Sequence, residues 1–264
     1  MRIFLILFVS LSFANLAVAQ QSTPQNGFTN KAEAKNIAKN GVKEGKWIEY
    51  LDYDGNVTAD TNTAVYYRLT FYKVGKSDGI VRMYYKTGQL YFETPYIDGK
   101  MNGVEKWYYA SGKTMLEIPF TNDILNGVKK IYYESGDLSQ EVPYTNGKCN
   151  GVEKIYYVGG KLSEEIPYTN GKENGVEKTY YESGTISKET PLTDGKENGV
   201  EKDFYEDGLI RRETPYVDDK KDGVVKEYFE NGVIQRETPY HNDEISGTIV
   251  CYNANGYEIS RQGR

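Results

Sequence analysis

Seven glutamates recur at a constant interval of 24 residues, and carboxylates are the side chains that cleave glycosidic bonds in pairs. They are Glu93, Glu117, Glu141, Glu165, Glu189, Glu213 and Glu237. In the strand pairing derived below, each faces a lysine or an arginine, which should lower the pKa of the carboxyl, whereas an acid catalyst needs a raised pKa. The pattern therefore favours a structural ladder of charges over a carbohydrate-active enzyme.

The other reactive residues are sparse. His241 is the only histidine, which excludes a Ser-His-Asp triad and a multi-histidine metal site. The glycines follow no strand-to-helix phosphate motif, and "NGK" is typical of a turn. Cys149 and Cys251 lie more than four repeats apart, roughly 40 Å at ~4.8 Å per strand, so we expect no disulfide between them. We predict a protein that is not an enzyme and uses no cofactor or metal.

A 24-residue repeat organises the chain. One glycine series begins at Gly79 and ends at Gly247, a second runs from Gly88 to Gly256, and every proline except Pro24 falls on a single repeat position. Paired aromatic residues such as Tyr132-Tyr133 occupy another position. Regularity of this kind is the mark of a repeat architecture.

Each unit should form a β-hairpin. The segments "VEKIYY" and "KLSEEI" are rich in β-branched and aromatic residues and are bounded by glycine-containing turns. A two-residue turn at Ser135-Gly136 would place Lys130 opposite Glu141, and the equivalent turns would pair Asp203 with Arg212 and Glu227 with Arg236. Because proline has no N–H for the ladder, the second strand is expected to end near Val142 or Ile166. The sequence predicts an all-β fold, an elongated single-layer antiparallel meander of tandem 24-residue hairpins, with stacked tyrosine ladders in place of a packed interior.

The N-terminal region differs from the repeats. "MRIFLILFVSLSFANLAVAQ" has a charged residue, an apolar run and an A-x-A site, which predicts a signal peptide at 1–19 with cleavage near Ala19. Residues 20–40 read as a polar tether with a short capping helix that places Ala34, Ile37 and Ala38 on one face. Residues 41–264 form the repeat domain, regular from residue 79. The mature chain carries no apolar segment of the ~20 residues that span a membrane.

The repeat resembles a known family. "YYESGDLSQEVPYTNGKCNG", residues 132–151, and its copies are similar to the MORN-repeat variant, the form known in many bacterial proteins as a YwqK-type antitoxin repeat. "GKWIEYLDYDG", residues 45–55, is similar to the older form of the motif. The resemblance implies a meander of successive hairpins and a scaffold or contact surface; it implies no particular partner.

The net charge of the chain indicates which kinds of partner it can bind. The net charge is −6, and loss of Arg2 with the signal peptide makes it −7. Acidic residues spread through all the repeats argue against nucleic acid.

One face of the predicted sheet changes character along the chain. In the first repeats it carries apolar residues, and later it carries charged ones such as Lys188, Asp203 and Arg212. Two explanations stay open: residues 28–40 or the loop after Gly55 cover the apolar part, or this part binds a partner. The candidate binding residues are Met83, Phe92, Trp107, Tyr109, Leu116 and Ile131.

The favoured function is an exported scaffold, periplasmic or secreted, that binds an unknown protein or a glycan. The alternative is a YwqK-type antitoxin or immunity protein that neutralises a toxin by direct binding.

Overall fold

The computed structural model describes residues 27–263 and shows one open antiparallel sheet. The predicted signal peptide at 1–19 and residues 20–26 of the predicted tether lie outside the described residues. Each long strand pairs with the long strands before and after it in sequence, so the chain is a continuous meander. The all-β prediction is confirmed. Among residues 27–263, no helix is long and apolar enough to cross a membrane.

Each regular repeat contributes three strands, and we number the repeats 1 to 7 from Gly79. The first strand begins at the repeat glycine: Gly79–Tyr85, Gly103–Tyr108, Gly127–Tyr132, Gly151–Tyr156, Gly175–Tyr180, Gly199–Phe204 and Gly223–Tyr228. The second strand contains the proline: Leu90–Ile97, Thr114–Thr121, Leu138–Thr145, Leu162–Thr169, Ile186–Thr193, Ile210–Val217 and Ile234–His241. A two-residue connecting strand follows: Lys100–Met101, Ile124–Leu125, Lys148–Cys149, Lys172–Glu173, Lys196–Glu197, Lys220–Lys221 and Glu244–Ile245.

The ends of the sheet are less regular. Before the first repeat, the chain forms a 3₁₀ turn at Lys31–Glu33 and strands at Ile37–Lys39, Val42–Leu51, Tyr66–Lys73 and Lys76–Ser77. After the seventh repeat, it forms strands at Ile249–Tyr252 and Glu258–Gln262.

The predicted register is confirmed, but the predicted turn is wrong. Lys130 pairs with Glu141, Asp203 with Arg212, and Glu227 with Arg236. In repeat 3 the turn contains three residues, because the Tyr133 N–H donates to the Asp137 carbonyl at 2.9 Å. A bulge then leaves Ser139 without a direct partner. The added residue in the turn and the added residue in the bulge cancel, so the strand bodies keep the register of a two-residue turn.

The prediction that proline ends the second strand is also wrong. The strand Leu138–Thr145 continues through Pro143, because the segment that follows it bulges between the Cys149 and Lys154 pairings and does not need the missing N–H. Instead, the Asn150 N–H donates to the Pro143 carbonyl at 2.9 Å. The repeat glycine then lies directly on the ring, since a Cβ at Gly151 would be 3.0 Å from Pro143 Cγ.

The expected capping helix at residues 31–40 is not formed. Ala34 follows a single 3₁₀ turn, and Ile37–Lys39 is a strand that pairs with Val42–Leu51. Asn40 and Gly41 both adopt positive φ, which suits a tight hairpin and ends any helix.

Candidate functional site

One side of the sheet, which we call the ladder face, carries an alternating row of lysines and glutamates across the repeats. Each glutamate except Glu237 lies between two basic residues: Glu141 pairs with Lys130 in its own hairpin and with Lys154 in the next, whereas Glu237 has Val250 on its second side. The Lys106–Glu117 pair is 3.0 Å apart and the Lys130–Glu141 pair 3.3 Å. The glutamate series is therefore a structural ladder, as the sequence predicts, and it continues between hairpins as well as within them.

From Tyr108 onward, the first tyrosine of each pair completes this ladder. Tyr132 donates its hydroxyl to Glu117 at 3.0 Å, and Tyr180 to Glu165 at 2.7 Å. Burial, followed by the hydrogen bond to Glu165, raises the pKa of Tyr180 to about 12. Phe204 is the exception at this position, and it has no hydroxyl to offer to Glu189.

From Tyr109 to Tyr205, the second aromatic residue of each pair joins neighbouring repeats. Tyr133 donates its hydroxyl to the backbone carbonyl of Tyr156 at 2.7 Å, and Tyr157 to that of Tyr180 at 2.7 Å. The expected stacks of equivalent rings are not formed, because equivalent residues lie two strands apart, about 9.6 Å. Among residues 27–263, the aromatic rings that pack against another ring all belong to the segment from Trp47 to Trp107.

The opposite side, which we call the patch face, holds the predicted apolar row. Direct cross-strand pairing joins Met83 to Phe92, Phe92 to Trp107, Trp107 to Leu116 and Leu116 to Ile131. Met83 is buried, while the other four are half-buried. The structure thus brings five of the six predicted residues into one continuous row.

Tyr109, the sixth predicted residue, lies beyond the end of its strand at Tyr108. Its hydroxyl donates to the Tyr132 carbonyl at 2.6 Å, so it has the same repeat-joining role as Tyr133.

Three tyrosines that the sequence prediction missed enlarge the row. The rings of Tyr66 and Tyr91 stack with centroids 5.5 Å apart, and Tyr85 lies 5.0 Å from Tyr91. Tyr91 in turn meets Trp107 edge-on at 5.1 Å, and Phe92 lies 4.7 Å from Trp107. We call Tyr66, Tyr85, Tyr91, Phe92 and Trp107 the aromatic patch. Burial, and then the neighbouring Tyr85 and Tyr66, raise the pKa of Tyr91.

The bulge explains why Tyr91 was missed. A two-residue turn would place Tyr91 and Phe92 on opposite faces, whereas the bulge between the Met83 and Tyr84 pairings turns both rings to the same face. The glycine at 88 and the constant turn length would be the only sequence signal for this bulge.

The N-terminal segment covers the other face. Phe28 packs against Tyr67, Leu69 and Tyr84, whose side chains alternate with those of the patch face, and Ala34 packs against this cluster. The Phe28 carbonyl lies 3.4 Å from Arg82 Nη1, and Arg82 belongs to the charge ladder. Of the explanations left open by the sequence, cover of the apolar row by residues 28–40 is therefore wrong.

The loop after Gly55 lies at the strand ends. Val57 bridges Leu51, the Thr58 N–H donates to the Tyr50 carbonyl at 2.9 Å, and Lys86 Nζ donates to the Asn62 carbonyl at 3.1 Å. These contacts place the loop beside the ends of the first long strands and leave Phe92 and Trp107 out of its contacts.

Farther along the patch face, four carboxylates follow the apolar row: Glu153, Glu164, Glu173 and Glu177. We call them the acidic patch. Burial, followed by charge repulsion from Glu164 and a hydrogen bond with it, raises the pKa of Glu177 to about 7. Burial and the charge of Glu153 raise the pKa of Tyr168 and of Cys149 as well. The pKa values of Glu177, Tyr168 and Cys149 are thus all raised beside the same group of carboxylates.

The remaining candidates form no site. His241 is exposed, and its Nδ1 lies 3.0 Å from Asp222 Oδ2. Cys149 and Cys251 are both free thiols. In the described part of the chain, histidines, cysteines and carboxylates form no group suited to a metal ion.

The sequence profile of the MORN repeat variant family matches seven consecutive segments of the chain. These segments are 77–98, 101–122, 125–146, 150–170, 173–194, 197–218 and 221–242. A search of curated proteins finds none that matches the chain. Because the seven matches cover more than half of the residues and coincide with the repeats of the sheet, the chain belongs to the MORN repeat variant family.

Proposed function

We propose that the protein is a non-enzymatic binding scaffold that is exported from the cell and holds a partner protein on its patch face. The observation that carries this proposal is the aromatic patch. Phe92 and Trp107 stay half-buried in a sheet with no second layer over them among the described residues. Aromatic residues, tryptophan above all, are the common anchors of protein interfaces.

Phe92 and Trp107 differ from most aromatic residues of the repeats in their hydrogen bonds. Most tyrosines of the repeats donate a hydroxyl hydrogen bond to a glutamate or to a backbone carbonyl, so they have a structural role. Phe92 has no such role, and Trp107 only donates its Nε1 hydrogen to Glu105 at 2.6 Å. A partner side chain can therefore contact them without breaking the ladders.

The arrangement of the rings favours a protein over a glycan. Sugar-binding platforms present flat rings to the sugar, whereas here Tyr91 meets Trp107 at 85° and the rings pack on one another. An irregular aromatic cluster suits side chains that insert between rings.

The test is the variant Trp107→Ala. Affinity capture with the wild-type protein from envelope extract would supply the partner, and its affinity for both proteins would then be measured. We expect at least a tenfold loss of affinity with a melting temperature within a few degrees of the wild type, since hot-spot truncations cost about 2 kcal/mol or more.

Trp47→Ala is the matched control. Trp47 lies on the same face, but its Nε1 bonds to the Ile37 and Glu44 carbonyls at 3.1 Å and its ring packs against Tyr72. This variant should lose stability and keep its affinity. A large fall in melting temperature for Trp107→Ala with unchanged affinity would contradict the proposal.

The export of the chain depends on residues 1–19 and can be tested by itself. N-terminal sequencing of the protein from a periplasmic or culture fraction should begin near Gln20. An antitoxin role would need a toxin as the captured partner.

A further inference from the structure

The patch face is asymmetric along the sheet, and this asymmetry defines the chemistry of a partner. We propose that the face takes an extended partner segment lying across the strands, with aromatic or aliphatic anchors at one end and lysines or arginines at the other. The anchors contact the aromatic patch, and the basic residues contact the acidic patch. The proposal rests on the proposed binding function and adds to it the kind of partner and its orientation.

The two patches lie on one face and at a fixed separation. Cross-strand pairing leads from Trp107 through Leu116, Ile131, Gln140 and Ile155 to Glu164, all in one row. Glu164 pairs with Thr179, and Glu177 lies two residues before Thr179 on the same side. Five strand spacings separate Trp107 from Glu164 and six separate it from the strand of Glu177, which is about 24–29 Å. An extended segment of about eight or nine residues spans that distance.

The direct cross-strand partners of Glu153, Glu164 and Glu177 are uncharged. On the ladder face each glutamate has a lysine or arginine as its direct partner, but here Glu153 pairs with Ile166, Glu164 with Ile155 and Thr179, and Glu177 with Thr190. Gln140 donates its side-chain amide to Glu153, which supplies a hydrogen bond and no charge.

Burial and the groups that face Glu177 account for its raised pKa. From the preceding strands it meets Glu164 and Glu173, and the Tyr168 hydroxyl donates to Glu173 Oε1 at 3.1 Å. From the following strand it meets Lys188, whose ammonium lies 2.7 Å from Glu201 and is therefore already engaged. A cation from a partner would favour the charged form of Glu177, so binding should release a proton near pH 7 and strengthen as the pH rises from 6 to 8.

Residues 20–26 do not provide this cation. Their sequence, "QQSTPQN", contains no lysine or arginine. A separate chain is thus the occupant that fits the charge of the face.

The experiment uses the full chain and two synthetic peptides with blocked ends. Both carry Trp-Phe at one end and three lysines at the other; one has a six-residue spacer of Ser, Thr and Gly, and the other a single Gly. Isothermal titration calorimetry at pH 6, 7 and 8 measures affinity, and two buffers of different ionisation enthalpy at pH 7 measure proton release. The long peptide should bind at least ~10-fold more tightly than the short one, because it alone engages both patches.

Two variants locate the effect. Glu164→Gln with Glu177→Gln should remove the advantage of the long peptide and the proton release. Glu141→Gln with Glu165→Gln, on the ladder face, removes the same number of carboxyl groups and should leave both the advantage of the long peptide and the proton release unchanged. Circular dichroism checks that each variant is folded.

The alternative outcomes are distinct. Equal affinity of the two peptides, no binding of either, or no effect of the Glu164 and Glu177 changes would overturn this inference. The proposed function would still be judged by Trp107→Ala and its own partner. A concentration-dependent dimer in sedimentation equilibrium that Trp107→Ala dissociates would mean that a second copy occupies the patch, and would also overturn the inference.

Discussion

The hydrogen bond from a tyrosine hydroxyl on the ladder face can be tested by removing that hydroxyl alone. Tyr180→Phe keeps the ring and removes the hydrogen bond of 2.7 Å to Glu165. Such a change should lower the free energy of unfolding by about 0.5–1.5 kcal/mol, measured by urea denaturation. Phe204→Tyr is the reverse experiment, because it offers Glu189 the hydroxyl that this repeat lacks, and it should stabilise by a similar amount. Equal stability of all three proteins would show that these hydroxyls contribute nothing.

The same two variants have a pH signature. The folded pKa of Tyr180 is raised to about 12, above the ordinary value of 10.0, so the tyrosine contributes stability below pH 10 that is lost as the pH rises towards 12. Tyr132 and Tyr228 behave alike. Melting temperatures at pH 9, 10 and 11 should fall less steeply for Tyr180→Phe than for the wild type, and more steeply for Phe204→Tyr.

At the residue level, the sequence predicted the apolar row well and the aromatic patch incompletely. Met83, Phe92, Trp107, Leu116 and Ile131 were found because alternation and a constant register assign them to one face. Tyr91 was not found, because its face depends on a bulge, and a bulge with a compensating turn leaves the register unchanged. The acidic patch was missed for a different reason: the predicted register gives the neutral partners of Glu153 and Glu177, but only the pairing between hairpins, which places Glu164 opposite Thr179, brings these carboxylates together.

At the level of the element, the contact between proline and glycine explains why both recur together eight residues apart. A Cβ at Gly175 would lie 2.9 Å from Pro167 Cγ, and Gly175 has a φ of +128°. Gly175→Ala should therefore cost roughly 1–3 kcal/mol of stability through backbone strain and this contact. Thermal or urea unfolding measures the loss.

A double-mutant cycle separates the two causes. In a Pro167→Ala background, Gly175→Ala should cost less, because only the strain of the positive φ is left. Gly184→Ala serves as the control: its Cβ would meet nothing within 4 Å, so its cost should not depend on Pro167. An identical cost of Gly175→Ala in both backgrounds would remove the ring contact from the explanation.

Two element boundaries were predicted wrongly from the sequence. The proline rule fails at Pro143 because its neighbour is a bulged connecting strand, and a bulge is a tertiary arrangement that the residue's own chemistry does not reveal. The capping helix fails because the Asn40-Gly41 turn outweighs a weak helical pattern of three residues. The register succeeded because its evidence was repeated in every hairpin.

At the level of the whole molecule, the sheet should tolerate the loss of one unit. Each repeat pairs only with its neighbours, so the stability of such a protein is approximately a sum of repeat and interface contributions. Deletion of Gly151–Asn174 joins Asn150 to Gly175 and preserves every pairing on either side. We expect a folded protein with a slightly lower melting temperature, and small-angle scattering should show a maximum dimension about 10 Å shorter, which is two strand spacings.

Deletion of one residue fewer is the decisive comparison. Removing Gly151–Glu173 leaves an extra residue at the junction, so keeping the strands paired would turn the side chains after it to the opposite face. The lysines and glutamates after the junction would then lie on the same side as the patch face of the part before it. The contact between proline and glycine would also be lost at the junction. We expect a markedly lower melting temperature or a second unfolding transition. If the two deletions unfolded alike, the alternation of faces would not be what holds this single-layer sheet together.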